Sequence, residues 1–181
     1  MLKEVLLTLV PYILVAGTSA KAPLVLPEGH IVLKRADLKA TETITVVEEM
    51  IKDPIQRETW ARAAFGFEYW ESSWMTSPVG YNDNGDACGT LQTHTPHLIL
   101  PGATCDKVRR DAKLAIKVAL TFLLEREKTC GSKAAAWTAF ATNGSCPKNW
   151  VLQLVKNRCR SVGLTEECEM KPGKVSAYAT K

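Results

Sequence analysis

Between Ser77 and Pro101 no helix or long strand can persist, because Pro78, Gly80, Asn82, Asn84, Gly85, Gly89, Pro96 and Pro101 interrupt either period. The chain therefore reads as two helical parts joined by a long irregular segment, and such segments inside compact domains are usually functional. Before it, Glu42 to Lys52 places Ile44, Val47 and Ile51 on one side of a helix. Asp53-Pro54 then offers an N-cap and a proline at the first helical position. The spacing of Ile55, Trp60, Ala63, Ala64 and Phe67, reaching Trp70 or Glu71, predicts a mostly buried helix from there to Ser72. After the segment, a helix resuming after Cys105 with Asp106 as its cap would bury Val108, Ala112, Ala115, Ile116, Ala119, Leu120 and Leu123 and end at Gly131. Ser132 caps a further helix from Lys133 to about Ala141, Asn143-Gly144-Ser145 closes it, and a last one runs from about Lys148 to Val162 before Gly163.

Composition supports one globular domain: of 181 residues 46% are apolar and 23% charged. Lys and Arg exceed Asp and Glu by 23 to 19, a net charge of +4 that suits an anionic polymer but, without a basic run interleaved with aromatics, argues against nucleic acid. Residues 1–20 read as a secretory signal or an N-terminal anchor: a short start with Lys3, an apolar run from Val5 to Gly17, then Thr18-Ser19-Ala20. A buried core helix is the competing reading, since the run is short for a bilayer span. Contact with a membrane is expected only if this segment stays attached. Residues 21–40, with Ile31, Val32 and Leu33 between turn-forming and basic residues, read as an extended lead-in. The domain proper spans 41–168, and 169–181 form a tail.

All six cysteines, Cys88, Cys105, Cys130, Cys146, Cys159 and Cys168, follow residue 87, and an even number behind a signal-like start points to disulfides and an exported protein. Pairing in sequence order gives the shortest loops, but spacing alone does not choose among the connectivities. Cys88, His94, His97 and Cys105 could instead ligate zinc. Their spacing matches no C-x-x-C pattern, so no metal or other cofactor is expected.

Glu71 is set unlike the other acidic residues. It sits near the end of an apolar helix beside Tyr69, Trp70 and Trp74, just before the irregular segment. Aromatic walls would desolvate its carboxyl and disfavour the charged form, as a general acid requires. Glu68, one turn earlier, would add like-charge repulsion. Read without further context, Glu71 could equally be an exposed helix-terminal carboxylate.

Glu71-Ser72-Ser73-Trp74, then Ser77-Pro78 and Gly80, then Gly89-Thr90-Leu91-Gln92, the helix around Asp111 to Ala115, and finally Ala139-Phe140-Ala141-Thr142-Asn143-Gly144 together resemble the ordered motifs of soluble lytic transglycosylases. The resemblance spans roughly residues 45 to 150. It implies a mainly α, lysozyme-like (α+β type) single domain whose long irregular loop borders the active site. It also implies cleavage of the β-1,4 bond between N-acetylmuramic acid and N-acetylglucosamine in peptidoglycan, with Glu71 as acid and then base and a 1,6-anhydro end as product. Ser72 and Gln92 match positions that orient the substrate or the glutamate, and Asn143 and Phe140 come from the third motif. Trp70, Trp74 and Tyr81 could stack on sugars, although aromatics at helical spacing more often build cores.

Departures from the family pattern leave alternatives open. Thr90 stands where leucine is usual, Leu91 where methionine is usual, and Phe140 where a tyrosine hydroxyl would lie near the acid, unless Tyr69 or Tyr81 replaces it. The loop from Tyr81 to Cys88 brings Asp83 and Asp86, either of which could activate water as in a goose-type lysozyme, making the chain a hydrolase. Both aspartates also suit a tight exposed turn. A wall-binding or virion-structural protein that keeps the fold without activity is the reading of another class, and a small cysteine-rich effector has only the cysteines behind it. The expected partner is the peptidoglycan glycan strand, met in wall remodelling, in a secretion machine or on a phage particle.

Overall fold

The computed structural model describes residues 1–15, 26–75, 86–147 and 151–165. Along it run α1 (Leu2–Thr8), α2 (Val10–Val15), α3 (Ile31–Met50), α4 (Pro54–Ser72), β1 (Ala87–Cys88), β2 (Thr93–His94), α5 (Cys105–Arg110), α6 (Ala112–Cys130), α7 (Lys133–Phe140) and α8 (Gln153–Ser161). The molecule is thus mainly helical, with one small antiparallel hairpin in which Ala87 faces His94 and Cys88 faces Thr93.

The long helices start and stop where local chemistry says they should. Asp53 Oδ1 accepts from the Gln56 amide at 2.7 Å, and Pro54 opens α4, where its missing N–H costs nothing. Gly131 ends α6 in the left-handed conformation, and Ser132 Oγ accepts from the Ala135 amide at 3.1 Å to begin α7. Every residue of α7 is buried; its run of alanines lets neighbouring helices close on it while Trp137 stacks on Phe67 at 3.6 Å between ring centroids. Trp60, Phe65, Phe67, Ile116, Leu120 and Trp137 form the centre of one continuous core. Truncating a buried Trp or Phe of this kind costs about 3–5 kcal/mol.

Several expectations change. The lead-in is not extended throughout: from Ile31 it is the start of α3, capped by His30, whose Nδ1 accepts from the Val32 amide. Three adjacent apolar residues at 31–33 suit an extended lead-in, but Ala36, Ala40, Thr43 and Val47, spaced by three or four, carry the buried face of a helix. Residues 1–15 form two short helices whose Leu6, Val10 and Ile13 join the core. No helix among the described residues is long and apolar enough to cross a membrane.

The helix predicted from Cys105 is two helices. Thr104, not Asp106, caps α5, and Asp111 leaves the helical conformation and caps α6 through its Oδ1 and the Leu114 amide at 3.0 Å. An aspartate that competes for nearby amides ends one helix as readily as it starts the next. The last helix, α8, begins at Gln153; Lys148, the expected start, lies outside the described residues. Within the irregular stretch the hairpin strands are only two residues each, too short to leave a period in the sequence.

Cys88 pairs with Cys105 and Cys130 with Cys146, tying β1 to α5 and the end of α6 to the loop after α7. Cys159 is also disulfide-bonded; Cys168 and the tail lie outside the described residues. Such bonds fit an exported protein.

Candidate functional site

The last turn of α4 carries the residues of the first motif. Ser73 and Trp74 both adopt left-handed backbone conformations, at φ of 52° and 58°, so the chain reverses at once. Trp74 folds back onto α4, its ring 4.8 Å from those of Phe65 and Tyr69 and its indole N–H donating to the Phe65 carbonyl at 2.9 Å.

Two carboxylates lie one turn apart here, in opposite surroundings. The Glu71 side chain is 26% exposed and pairs with Arg158 of α8, whose guanidinium also lies over the rings of Phe67 and Trp70 at 5.2 and 5.4 Å. Glu68 is fully buried. Its Oε1 accepts from the Thr43 hydroxyl of α3 at 2.6 Å and its Oε2 from the Thr90 hydroxyl at 3.1 Å. Burial pushes the Glu68 carboxyl up to about 7, only partly opposed by the Thr43 hydrogen bond, by Lys39 and by the Thr90 hydrogen bond. Lys39, itself buried, pairs with Glu42 at 2.6 Å. The desolvated carboxyl expected at Glu71 is therefore found at Glu68.

The second motif meets the first directly. Gly89 has φ of +71°, and a side chain there would press within 2.7 Å of Val108 and Ala115, so only glycine lets the hairpin close on α5 and α6. Thr90, fully buried, reaches Glu68 and lies 3.3 Å from Ser72 Oγ, which donates to the Glu68 backbone carbonyl at 2.8 Å. Leu91 enters the core. The third motif is linked through His97 just beyond the hairpin: its ring stacks on Phe122 at 4.3 Å and stands 5.7 Å from Phe140. Desolvation, with His94 and Arg126 nearby, holds the His97 imidazole below its ordinary value.

The structure thus joins Ser72 to the Gly89–Gln92 turn through Thr90, turns Glu71 toward Arg158 of α8, and places the other expected residues differently. Trp74 is 1% exposed, locked against Phe65 and Tyr69, and offers no face to a sugar. Phe140 is buried among Trp137, Phe122 and His97, so it packs rather than lines a surface. Gln92 turns its amide back to donate to the Gly89 carbonyl at 2.9 Å. Asn143 is exposed and accepts from the Ser145 amide, a turn residue at the end of α7. Asp86 is exposed at the mouth of the hairpin, its carbonyl accepting from Thr95 N–H at 3.2 Å. Tyr81 and Asp83 lie outside the described residues. The zinc alternative fails chemically: the Cys88 and Cys105 sulfurs are joined to each other, so neither is a thiolate ligand. Among the described residues no cluster of three or more candidate ligands forms.

Glu68, Thr43, Lys39 and Arg158 were not singled out by motif or spacing as site residues. A signal for Glu68 existed: it follows Trp60 and Ala64 at four-residue steps, on the buried stripe of α4. Arg158 belongs to α8, far along the sequence, and nothing local announces its meeting with Glu71. No protein-family model matches the chain, and no curated protein or solved structure matches it either.

Proposed function

We propose that the chain is a lysozyme-like, peptidoglycan-cleaving lytic transglycosylase in which Glu71 is the acid and base. The observation that carries this reading is the convergence of motifs far apart in sequence: Ser72 and Thr90 touch at the end of α4, beside the partly exposed Glu71. Of the two carboxylates only Glu71 reaches the surface, so only it can meet a polymer. In the proposed reaction Glu71 gives its proton to the glycosidic oxygen as the bond from that oxygen to the muramic C1 breaks. The resulting carboxylate takes the proton of the muramic 6-hydroxyl while O6 bonds to C1. The nucleophile is part of the substrate, so proximity replaces a second carboxylate and no water is consumed. Export through an oxidising compartment, in keeping with the disulfides, and a modest positive charge suit a wall polymer bearing peptide carboxylates.

Two observations favour a second reading, a wall-binding protein without activity. Arg158 sits against the Glu71 carboxyl, and Phe140 lacks the hydroxyl that the resemblance would place near it. Mass spectrometry of fragments released from purified peptidoglycan by the protein and by Glu71→Gln separates these readings. Anhydro-muramic ends that vanish in the variant support the transglycosylase. Reducing ends would establish hydrolysis and direct attention to Asp83 and Asp86. Binding to walls with no release from folded, oxidised protein would leave the second reading.

A further inference from the structure

Arg158 is held from two sides. Its guanidinium lies 5.2 Å from the Phe67 ring and 5.4 Å from the Trp70 ring, and those rings meet edge to face at 87° to make an aromatic corner. Its polar link among the described residues is Nη1 donating to Glu71 Oε1, while its Nε–H is buried without an acceptor. An arginine fork can grip a carboxylate through two parallel N–H groups, so part of this fork is unused. Glu71 in turn has Arg158 as its hydrogen-bond partner and no other among the described residues. The rings keep the cation in place when the carboxylate leaves, and nothing else holds the carboxylate to it.

That arrangement opposes the proposed reaction. In the pair Glu71 is a carboxylate, and a carboxylate has no proton to give to a glycosidic oxygen. A ligand that pushes between the two must replace the attraction it breaks, and an uncharged sugar has little to offer a mostly buried cation. A carboxylate on the ligand can take over the fork and engage two of its N–H groups. Glu71 is then left beside a second negative charge, which favours its uptake of a proton from solvent.

We propose that Arg158 is a specificity-determining residue that exchanges Glu71 for a carboxylate of the glycan, so that a negatively charged strand uncovers its own acid and an uncharged one does not. This rests on the proposed role of Glu71 and narrows the substrate class for that site to β-1,4 glycans with carboxylates close to the bond that is cut. In peptidoglycan such a group sits on the peptide stem or, where the stem is removed, on the lactyl ether of muramic acid. The exchange breaks no covalent bond: one ion pair replaces another, and solvent supplies the proton.

Glycan strands are the probe, either peptide-bearing or stripped to free lactyl carboxylates, each with and without its carboxyls converted to methyl amides. Affinity is read in Glu71→Gln, where the competing carboxylate is gone, and in the same variant with Arg158→Met added. The constants kcat and KM are read in the wild type, Arg158→Met and Arg158→Lys. Glu71→Gln should bind carboxylate strands about tenfold to a hundredfold more tightly than their methyl amides, the worth of a charge-assisted hydrogen bond. Adding Arg158→Met should erase that preference. In turnover, Arg158→Met should raise KM on carboxylate strands to the methyl-amide value while kcat rises a few-fold. Arg158→Lys, which keeps the charge without the fork, should retain part of the preference. A preference shown by stripped strands assigns the carboxylate to the lactyl ether, and one confined to peptide-bearing strands assigns it to the stem.

Equal affinity of Glu71→Gln for charged and neutral strands overturns the exchange, as does a preference that survives Arg158→Met. Charge-dependent binding through Arg158 in a protein that releases no glycan supports the exchange and overturns the reading of Glu71. Release that Glu71→Gln abolishes but that proceeds equally well on neutral strands supports Glu71 as the acid and overturns the exchange.

Discussion

Glu68 and Glu71 occupy the same turn of one helix, three residues apart, and share almost nothing else. Glu68 faces inward and is held by two uncharged hydroxyls; Glu71 faces the rim and is held by a guanidinium. Three residues advance a helix by somewhat less than a full turn, so the two side chains leave α4 on adjacent but different faces. That small angle decides which carboxyl loses its water. Aromatic neighbours in the sequence did not decide it: Trp74 lies beside Glu71 in the chain but packs onto Phe65 and Tyr69. An interior carboxyl can tie elements together, and a rim carboxyl can meet a ligand.

The comparison is broken hardest by exchanging the two amide substitutions. If Glu71 is the acid and base, Glu71→Gln should reduce glycan release by about 10²–10⁴-fold, the usual worth of general acid–base catalysis. Glu68→Gln, measured below pH 7 where it imitates the native state, should keep activity within a few-fold. Equal losses in both would mean the interior group, not the rim group, governs the chemistry.

Next in size is stability. Glu68→Ala leaves Thr43 and Thr90 buried without their acceptor and opens a cavity, and should cost about 3 kcal/mol by chemical denaturation. The pH dependence of stability has a defined sign. Because the folded carboxyl rises to about 7 from an ordinary 4.5, the folded protein keeps a proton there that the unfolded chain has already released. Its stabilising effect is whole below about pH 4.5 and is lost as pH rises to about 7, a change on the order of 3 kcal/mol. His97, held below its ordinary value by burial, works the other way and costs stability as pH falls. The informative quantity is therefore the wild type minus Glu68→Gln, in which His97 cancels. A difference that does not vary between pH 4.5 and roughly one unit above 7 would mean that Glu68 does not titrate as its burial dictates.

Much of the scaffold was legible because its signals are local. Asp53-Pro54, Gly131 and Ser132 each mark a helix end through their own hydrogen bonds or backbone freedom, and the structure uses them so. The break at Asp111 and the true start of α3 were hidden because an aspartate can cap or continue, and three apolar residues suit either period. The candidate site was legible only in its first two motifs. Ser72 and Thr90 do meet, but Glu68 and Arg158 depend on contacts across 22 and 87 residues of chain, which no spacing rule carries.

The smallest expected effect tests what the rim pair contributes. Arg158 is mostly buried at 11% side-chain exposure and Glu71 is at 26%, so their attraction is partly screened, and the guanidinium is held as much by the Phe67 and Trp70 rings as by the carboxylate. Arg158→Met keeps a long side chain over those rings while removing the charge, and should cost only about 1 kcal/mol of stability. Its effect on turnover carries more information than its effect on folding. A glycosidic oxygen must approach the carboxyl that the guanidinium now covers, so the arginine has to withdraw before a proton can pass. Arg158→Met should therefore raise kcat by a few-fold and leave the Thr43–Glu68–Thr90 contacts untouched, since those lie on the other face of α4. A fall in kcat would instead make Arg158 the residue that holds Glu71 in place. A change, in the Arg158→Met background, of the pH-dependent stability difference that Glu68→Gln removes would show that the two carboxylates act as one unit rather than as an interior tie and a separate rim.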